Sequence, residues 1–204
     1  MSTSAPDRTV GFRQMKDGTA ADYALLEELE EGYARALPDR ILEHLGRLAD
    51  GLSGYRVSRL EHSLQTATRA LRDGADLDWV VTALVHDIGD DLAPANHDSL
   101  AAAILRPYVR EECSWVVQHH GIFQLVYYAH HLGKDPEARR KYADSPYYQA
   151  AVDFCERWDQ AAFDPDYDSE PLAAFAPMVR EVFARPPWDP AHLRPGVRVP
   201  LVAG

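Results

Sequence analysis

Cysteine is scarce in this chain, two in 204 residues, and Cys113 and Cys155 each stand alone. No Cys-x-x-Cys pair offers a zinc ribbon, a redox motif or a disulfide framework, and the usage fits a reducing cytoplasm. Basic residues are in deficit as well: 21 Lys and Arg against 32 Asp and Glu give a net charge of −11. Nucleic-acid affinity rests on Lys and Arg contacts to phosphates, so DNA, RNA and anionic membrane surfaces are poor partners. Long apolar runs are missing, since the best stretches are interrupted by Thr82, His86 or Gln118 well short of the roughly 20 residues a spanning helix needs. The first fifteen residues carry no apolar core of the kind a secretory signal or transit peptide has. Strand-like alternation is absent too, which argues against a sheet. Nor is there a Gly-x-Ser-x-Gly elbow, a Gly-x-x-x-x-Gly-Lys phosphate loop or a Gly-x-Gly-x-x-Gly fingerprint; Gly51-Leu52-Ser53-Gly54 fits none of them.

What is present is helical periodicity. From residue 20 onward apolar residues recur at three- and four-residue spacing, as in Leu25, Leu26, Leu29 and Tyr33, then Ile41, Leu42, Leu45 and Leu48. This predicts an all-α bundle of nine or ten helices. After the first two, helices are expected at about 59–73, 77–87, from an Asn96 cap to about 105, and at 109–118, 122–132, 136–143, 147–163 and 171–184. Gly74, Gly89, Pro107, Gly121, Gly133, Pro146 and Pro171 divide them. The expected organisation is a flexible segment over 1–19, one domain over 20–184 and a proline-rich tail over 185–204 that either packs across the helices or stays mobile.

Six of the nine histidines lie between His86 and His131, among Asp87, Asp90, Asp91 and Asp98. Imidazole and carboxylate are the ligands of divalent metals, and facing helices can point them into a bundle core. His86-Asp87 closes the apolar run Val80-Val81-Thr82-Ala83-Leu84-Val85 and precedes Ile88-Gly89; two polar groups entering a core need a partner, and a metal provides one. His62 borders the apolar face formed by Leu60, Leu64, Ala67 and Leu71, His97 opens the following helix, His119-His120 ends the run Trp115-Val116-Val117, and Asp159 lies beside Trp158. Asp98 falls in a first helical turn, where the helix dipole accounts for it.

This His…His-Asp…Asp pattern resembles the HD-domain superfamily of all-α metalloenzymes, over roughly residues 55 to 183. The resemblance implies that His62, His86, Asp87 and Asp159 are core ligands, with Asp87 bridging to a second metal held by His97 and His120. His120 is preferred to His119 because it stands next to the break expected at Gly121. The run Leu60-Glu61-His62-Ser63-Leu64-Gln65 is similar to the HD-domain oxygenases that cleave hydroxylated organophosphonates, and Gln65-Thr66-Ala67 to myo-inositol oxygenase. Many HD hydrolases place a basic residue where Gln65 stands. The resemblance therefore implies a mixed-valent Fe(II)/Fe(III) pair that uses dioxygen on a small hydroxylated substrate. The alternative is a phosphohydrolase using manganese, nickel or cobalt. Gln65 and His119 are expected to support the ligands from behind, and Asp90 and Gln124 to contact substrate. Asp90 and Gln124 replace the basic residues of the oxygenases, and Asp90 with Asp91 suggests a neutral or cationic substrate. The aromatic stretch 122–131 either lines the pocket or packs in the core. Arg157 is expected in a salt bridge with a helix neighbour. The oligomeric state is left open.

Overall fold

The computed structural model describes residues 8–202. Among them there is no strand, and no helix is long and apolar enough to cross a membrane. The helices are α1 (Ala20–Arg35), α2 (Leu37–Arg47), α3 (Arg59–Arg72), α4 (Leu77–Val85), α5 (His97–Leu105), α6 (Glu111–Tyr128), α7 (Tyr148–Phe154), α8 (Leu172–Phe183) and the single turn α9 (Pro190–Leu193). Short 3-10 turns link several of them. The expected N-terminal segment lies partly outside the described residues; the part that is described includes Arg8, paired with Glu28 of α1.

Local chemistry explains the starts. Ser58 and Glu61 form a capping box at α3, each side chain satisfying the other's backbone N–H, and Thr19 with Asp22 does the same at α1. Asp76 caps α4 by accepting from the Trp79 N–H. Asn96 stands at the α5 N-cap but makes no side-chain cap bond, so the cap read from the sequence is a matter of position only. α6 runs unbroken through Gly121, and the two helices expected around that glycine are one. A glycine inside a helix weakens it by about 1 kcal/mol, and packing of α6 against α4, α5 and α7 overrides that. The helix expected over 147–163 is instead α7 followed by a π turn, Cys155–Asp159, closed by the bond from Gln160 N–H to Cys155 O.

α3 packs on α4, α5 on α6 and α2 on α8. The core between them holds Trp79, Trp158, Phe123, Phe154, Phe175, Leu45, Leu84 and Leu105, all essentially without solvent exposure. α4 is buried over Asp78–Val85, which is why it reads as a continuous apolar run instead of an amphipathic one. Asp73, which ends α3, accepts from Arg157 and from Trp158 Nε1, so the end of α3 is tied to the π turn; Arg157 bridges to Asp73 and not to the helix neighbours expected. The tail lies on α4 and α6: Trp79 Nε1 donates to Val199 O, Val199 N–H donates to Glu112, and Leu201 is buried.

Candidate metal centre

Five short stretches converge inside the bundle. His62 comes from the first turn of α3; His86 and Asp87 follow the last residue of α4; His97 is the first residue of α5; His120 lies in the middle of α6; Asp159 ends the π turn. A π turn adds one residue to a helical turn and re-aims the side chains beyond it, a distortion found often at functional sites. Here it leaves Trp158 in the core and Asp159 in the cluster. Gly89 acts by close approach: a Cβ on it would stand 2.9 Å from His97 O and 3.2 Å from His97 Cα. Only glycine lets the start of α5 press against the turn after Asp87, and that contact delivers His97.

The side-chain atoms face one another across short gaps. His62 Nε2 is 3.1 Å from His86 Nε2 and 3.2 Å from Asp159 Oδ1; His86 Nε2 is 3.6 Å from the same oxygen. Asp87 Oδ2 lies 3.4 Å from His62 Nε2 and 3.6 Å from His86 Nε2. The other oxygen, Asp87 Oδ1, faces His120 Nε2 at 3.2 Å and His97 Nε2 at 3.3 Å. Donors on adjacent corners of a metal shell with bonds of about 2.1 Å stand roughly 3.0–3.4 Å apart, so these gaps have the length of polyhedron edges. His62, His86 and Asp159 form one group able to hold a metal, and His86, Asp87 and His120 another.

The imidazoles are oriented for that task. His62 Nδ1–H donates to Ala162 O, His86 Nδ1–H to Ala83 O and His120 Nδ1–H to Val117 O. A carbonyl can only accept, so each Nδ1 carries a proton and each Nε2 is turned inward, the orientation that metal-bound histidines have. Asp159 Oδ2 is buried with no hydrogen-bond partner, and an orphaned buried carboxylate oxygen is costly unless a cation completes it. Burial opposes charge throughout, yet the groups hold one another ionised. The hydrogen bonds from His62 and His86 keep Asp159 below the carboxylate range, and the neighbouring His86, His120 and His62 hold Asp87 well below it. Burial disfavours the charged form of His120, but the hydrogen bond and charge of Asp87 prevail and raise it to about 9; Asp159 and Asp87 raise His62 in the same way. Four nitrogens and two carboxylates thus converge where they could hold divalent cations.

The cluster forms the floor of a cavity of about 470 Å³, walled by Tyr55, Arg59, Gln124, Tyr127, Tyr128 and Phe163. This histidine and aspartate pattern, on these helices, has a counterpart among known families. A little under half of the chain is similar to the HD domain family. The match covers residues 59–148, from the first residue of α3 to the first of α7, and includes every residue of the cluster except Asp159. HD domains are characteristically metal-dependent enzymes. No curated protein matches the chain.

The structure places Asp90, Asp91 and His119 otherwise than expected. Asp90 does not line the cavity: its carboxylate lies 2.7 Å from Arg59 Nε. The N–H of that nitrogen is not aligned on an acceptor, so the contact is a charge pair. Asp91 pairs with His44 at 3.1 Å. The two acids on which a cationic substrate was expected are therefore engaged by Arg59 and His44, and the polar group that enters the cavity is Arg59. His119 faces away from the HD cluster: its Nδ1–H donates to Trp115 O, and its ring packs on Trp115 and Tyr142 beside a separate cavity of about 400 Å³. His120 is the member of the pair turned to Asp87, although the break at Gly121 that favoured it does not exist. Gln65 makes no direct hydrogen bond to the cluster; both ends of its amide bond the backbone of Asp164. Gln124, one turn after His120, does line the cavity, with Tyr127 and Tyr128 of the aromatic stretch. Arg59, Tyr55 and Phe163 carried no sequence signal of their own; Arg59 stands three residues before His62, one turn earlier on the same face.

Proposed function

We propose that this protein is a dinuclear metalloenzyme of the mixed-valent diiron type, which uses dioxygen to oxidise or cleave a small hydroxylated substrate. The observation that carries the reading is the division of Asp87: one carboxylate oxygen faces His62 and His86, beside Asp159, and the other faces His97 and His120. A carboxylate so shared suits a bridge between two ions. His62, His86 and Asp159 would hold one of them, and His97 and His120 the other, leaving the second with fewer protein donors and more room for substrate. Bound there, an Fe(II)/Fe(III) pair would supply dioxygen activation and removal of hydrogen from the carbon bearing the substrate hydroxyl.

The protein's own residues supply binding and dryness. Phe163 stacks on His62 with ring centres 4.4 Å apart, and on Tyr55 at 5.1 Å, an apolar wall that keeps water from that side of the cluster. Gln124 offers an amide donor and acceptor to the substrate's polar groups. Arg59, paired with Asp90 and 3.6 Å from Asp87 Oδ2, is the one Lys or Arg that lines the cavity among the described residues. With the two carboxylates of the cluster outweighed by two metal ions, a substrate bearing an acidic group suits this charge pattern better than a cation. No other wall residue is a good proton donor near neutrality. Outside the cluster only phenols remain, and burial pushes that of Tyr127 up to about 12. A hydrolase that protonates its leaving group would want a group nearer pH 7, and this favours oxygen chemistry.

The second reading is a phosphohydrolase, in which the same ligands hold manganese, nickel or cobalt to activate water and Arg59 receives the phosphoryl group. The two separate cleanly. Protein loaded anaerobically with iron and partly reduced should give a spin-half resonance from a coupled ferrous–ferric pair, and hydroxylated acids should then drive oxygen uptake. Phosphate release from esters with manganese or nickel, without that resonance or any uptake, would assign the site to hydrolysis.

A further inference from the structure

The twelve residues from Gln160 to Pro171 have no regular structure, yet they carry Phe163 and the carbonyl that orients His62. Most of their side chains are exposed or half-exposed, with Ala162 alone buried, so side-chain burial does little to fix this strap. Its backbone is held by side chains of α3. His62 Nδ1–H donates to Ala162 O, Gln65 Nε2 donates to Asp164 O at 2.7 Å while its Oε1 accepts from Asp164 N–H at 3.2 Å, and Arg69 donates to Ala161 O. Farther along, Thr68 accepts from Glu170 N–H and Arg72 donates to Asp168 O. Residues 62, 65, 69 and 72 are spaced by three and four, so one helix face presents a row of bonds to one strap. Gln65 is buried and uses both ends of its amide on a single residue, as a neighbouring strand would.

We propose that Gln65 is a positioning residue for His62, acting through the backbone of Ala161–Asp164, and that it thereby sets the affinity of the ion held near His62 and Asp159. The inference rests on the metal-centre reading for its second half and on geometry alone for its first. Without the Gln65 bonds, Asp164 loses its only side-chain anchor to α3; Ala162 O, two residues before it, can drift, and the Phe163 ring between them loses its register on His62. A thioether at position 65 retains volume but neither hydrogen bond, whereas a carboxylate retains the acceptor for Asp164 N–H and repels Asp164 O.

The test titrates full-length protein with Co(II) and separately follows the His62 Nδ1–H exchange rate in metal-free protein by nitrogen-edited NMR; that proton is present whether the ring is charged or neutral. Gln65→Met should weaken one of two Co(II) sites by about tenfold or more and leave the other within about twofold, the scale on which groups behind a ligand act. The Nδ1–H should exchange faster, again by about tenfold. Gln65→Glu should lie between wild type and Gln65→Met, and serves if the methionine variant does not fold. Thr68→Ala frees the far end of the strap at Glu170 and should alter neither readout. Wild-type affinities and exchange in Gln65→Met, or an equal loss in Thr68→Ala, would overturn the proposal. If wild-type protein takes up no Co(II), the metal-centre reading fails and the exchange rate alone decides the positioning role.

Discussion

Removal of metal should make this protein alkali-sensitive, and His120 sets the size of the effect. In the metal-free chain the imidazole lies against Asp87 and its proton is held up to about 9, against 6.5 for a free histidine. A group whose pKa rises on folding stabilises the native state fully below its unfolded value and loses that contribution as pH climbs through the folded one. The window is therefore pH 6.5 to 9. The displacement corresponds to about 3 kcal/mol at 1.36 kcal/mol per pH unit. For a domain of this size that is roughly 6–12 °C in Tm. His62 is raised too and acts in the same direction. Asp87 and Asp159, held below the carboxylate range, contribute stability at neutral pH that disappears only in acid, as pH falls below about 4. Chelator-treated protein should thus melt highest near pH 5–6, then lose those degrees by about pH 9, as followed by scanning calorimetry. Metal-loaded protein should lack the alkaline fall, because an Nε2 lone pair given to a metal has no proton to release. The metal-free fall should shrink in His120→Asn. A metal-free Tm that stays level from pH 6 to 9, or a fall undiminished in the variant, would refute the reasoning.

Asp87→Ala should remove tight binding of both ions, read as metal per chain after desalting; retention of one full equivalent would show that the two groups do not share this carboxylate. Arg59→Gln should raise KM for a hydroxylated acid by about tenfold or more, the worth of a charge-assisted hydrogen bond, and leave a neutral polyol unaffected; equal losses on both would point to a structural role for Arg59. Gly89→Ala forces a methyl group against His97 O and should lower stability by about 1–3 kcal/mol, with loss of the ion nearest His97 before the other, measured by denaturation and by metal titration.

The helical class and most helix positions were legible because α2 and α3 are one-sided: Ile41 and Leu45, or Ala67 and Ala70, repeat on the buried side. The chemistry was legible where polar residues interrupt apolar runs, as at His86-Asp87. Distortion was not. The π turn that aims Asp159 depends on packing of Trp158 against Trp79 and Phe154, and no local pattern announces it. Gly121 read as a break because glycine is a poor helix former, but three packed neighbours outweigh that preference. Asp90 read as an open acid because Arg59, its partner, is 31 residues away in sequence. His119 and His120 could not be told apart by spacing alone, since adjacent residues on a helix point about 100° apart and only the placement of α4 shows which faces Asp87.

The central claim is that two ions share Asp87. Anomalous diffraction from crystals of iron-loaded protein tests it most directly. Two peaks about 3.5–4 Å apart, one beside His62, His86 and Asp159 and the other beside His97 and His120 with a carboxylate oxygen of Asp87 on each, are the expected result. A single peak, or two peaks with Asp87 bound to only one, would contradict it.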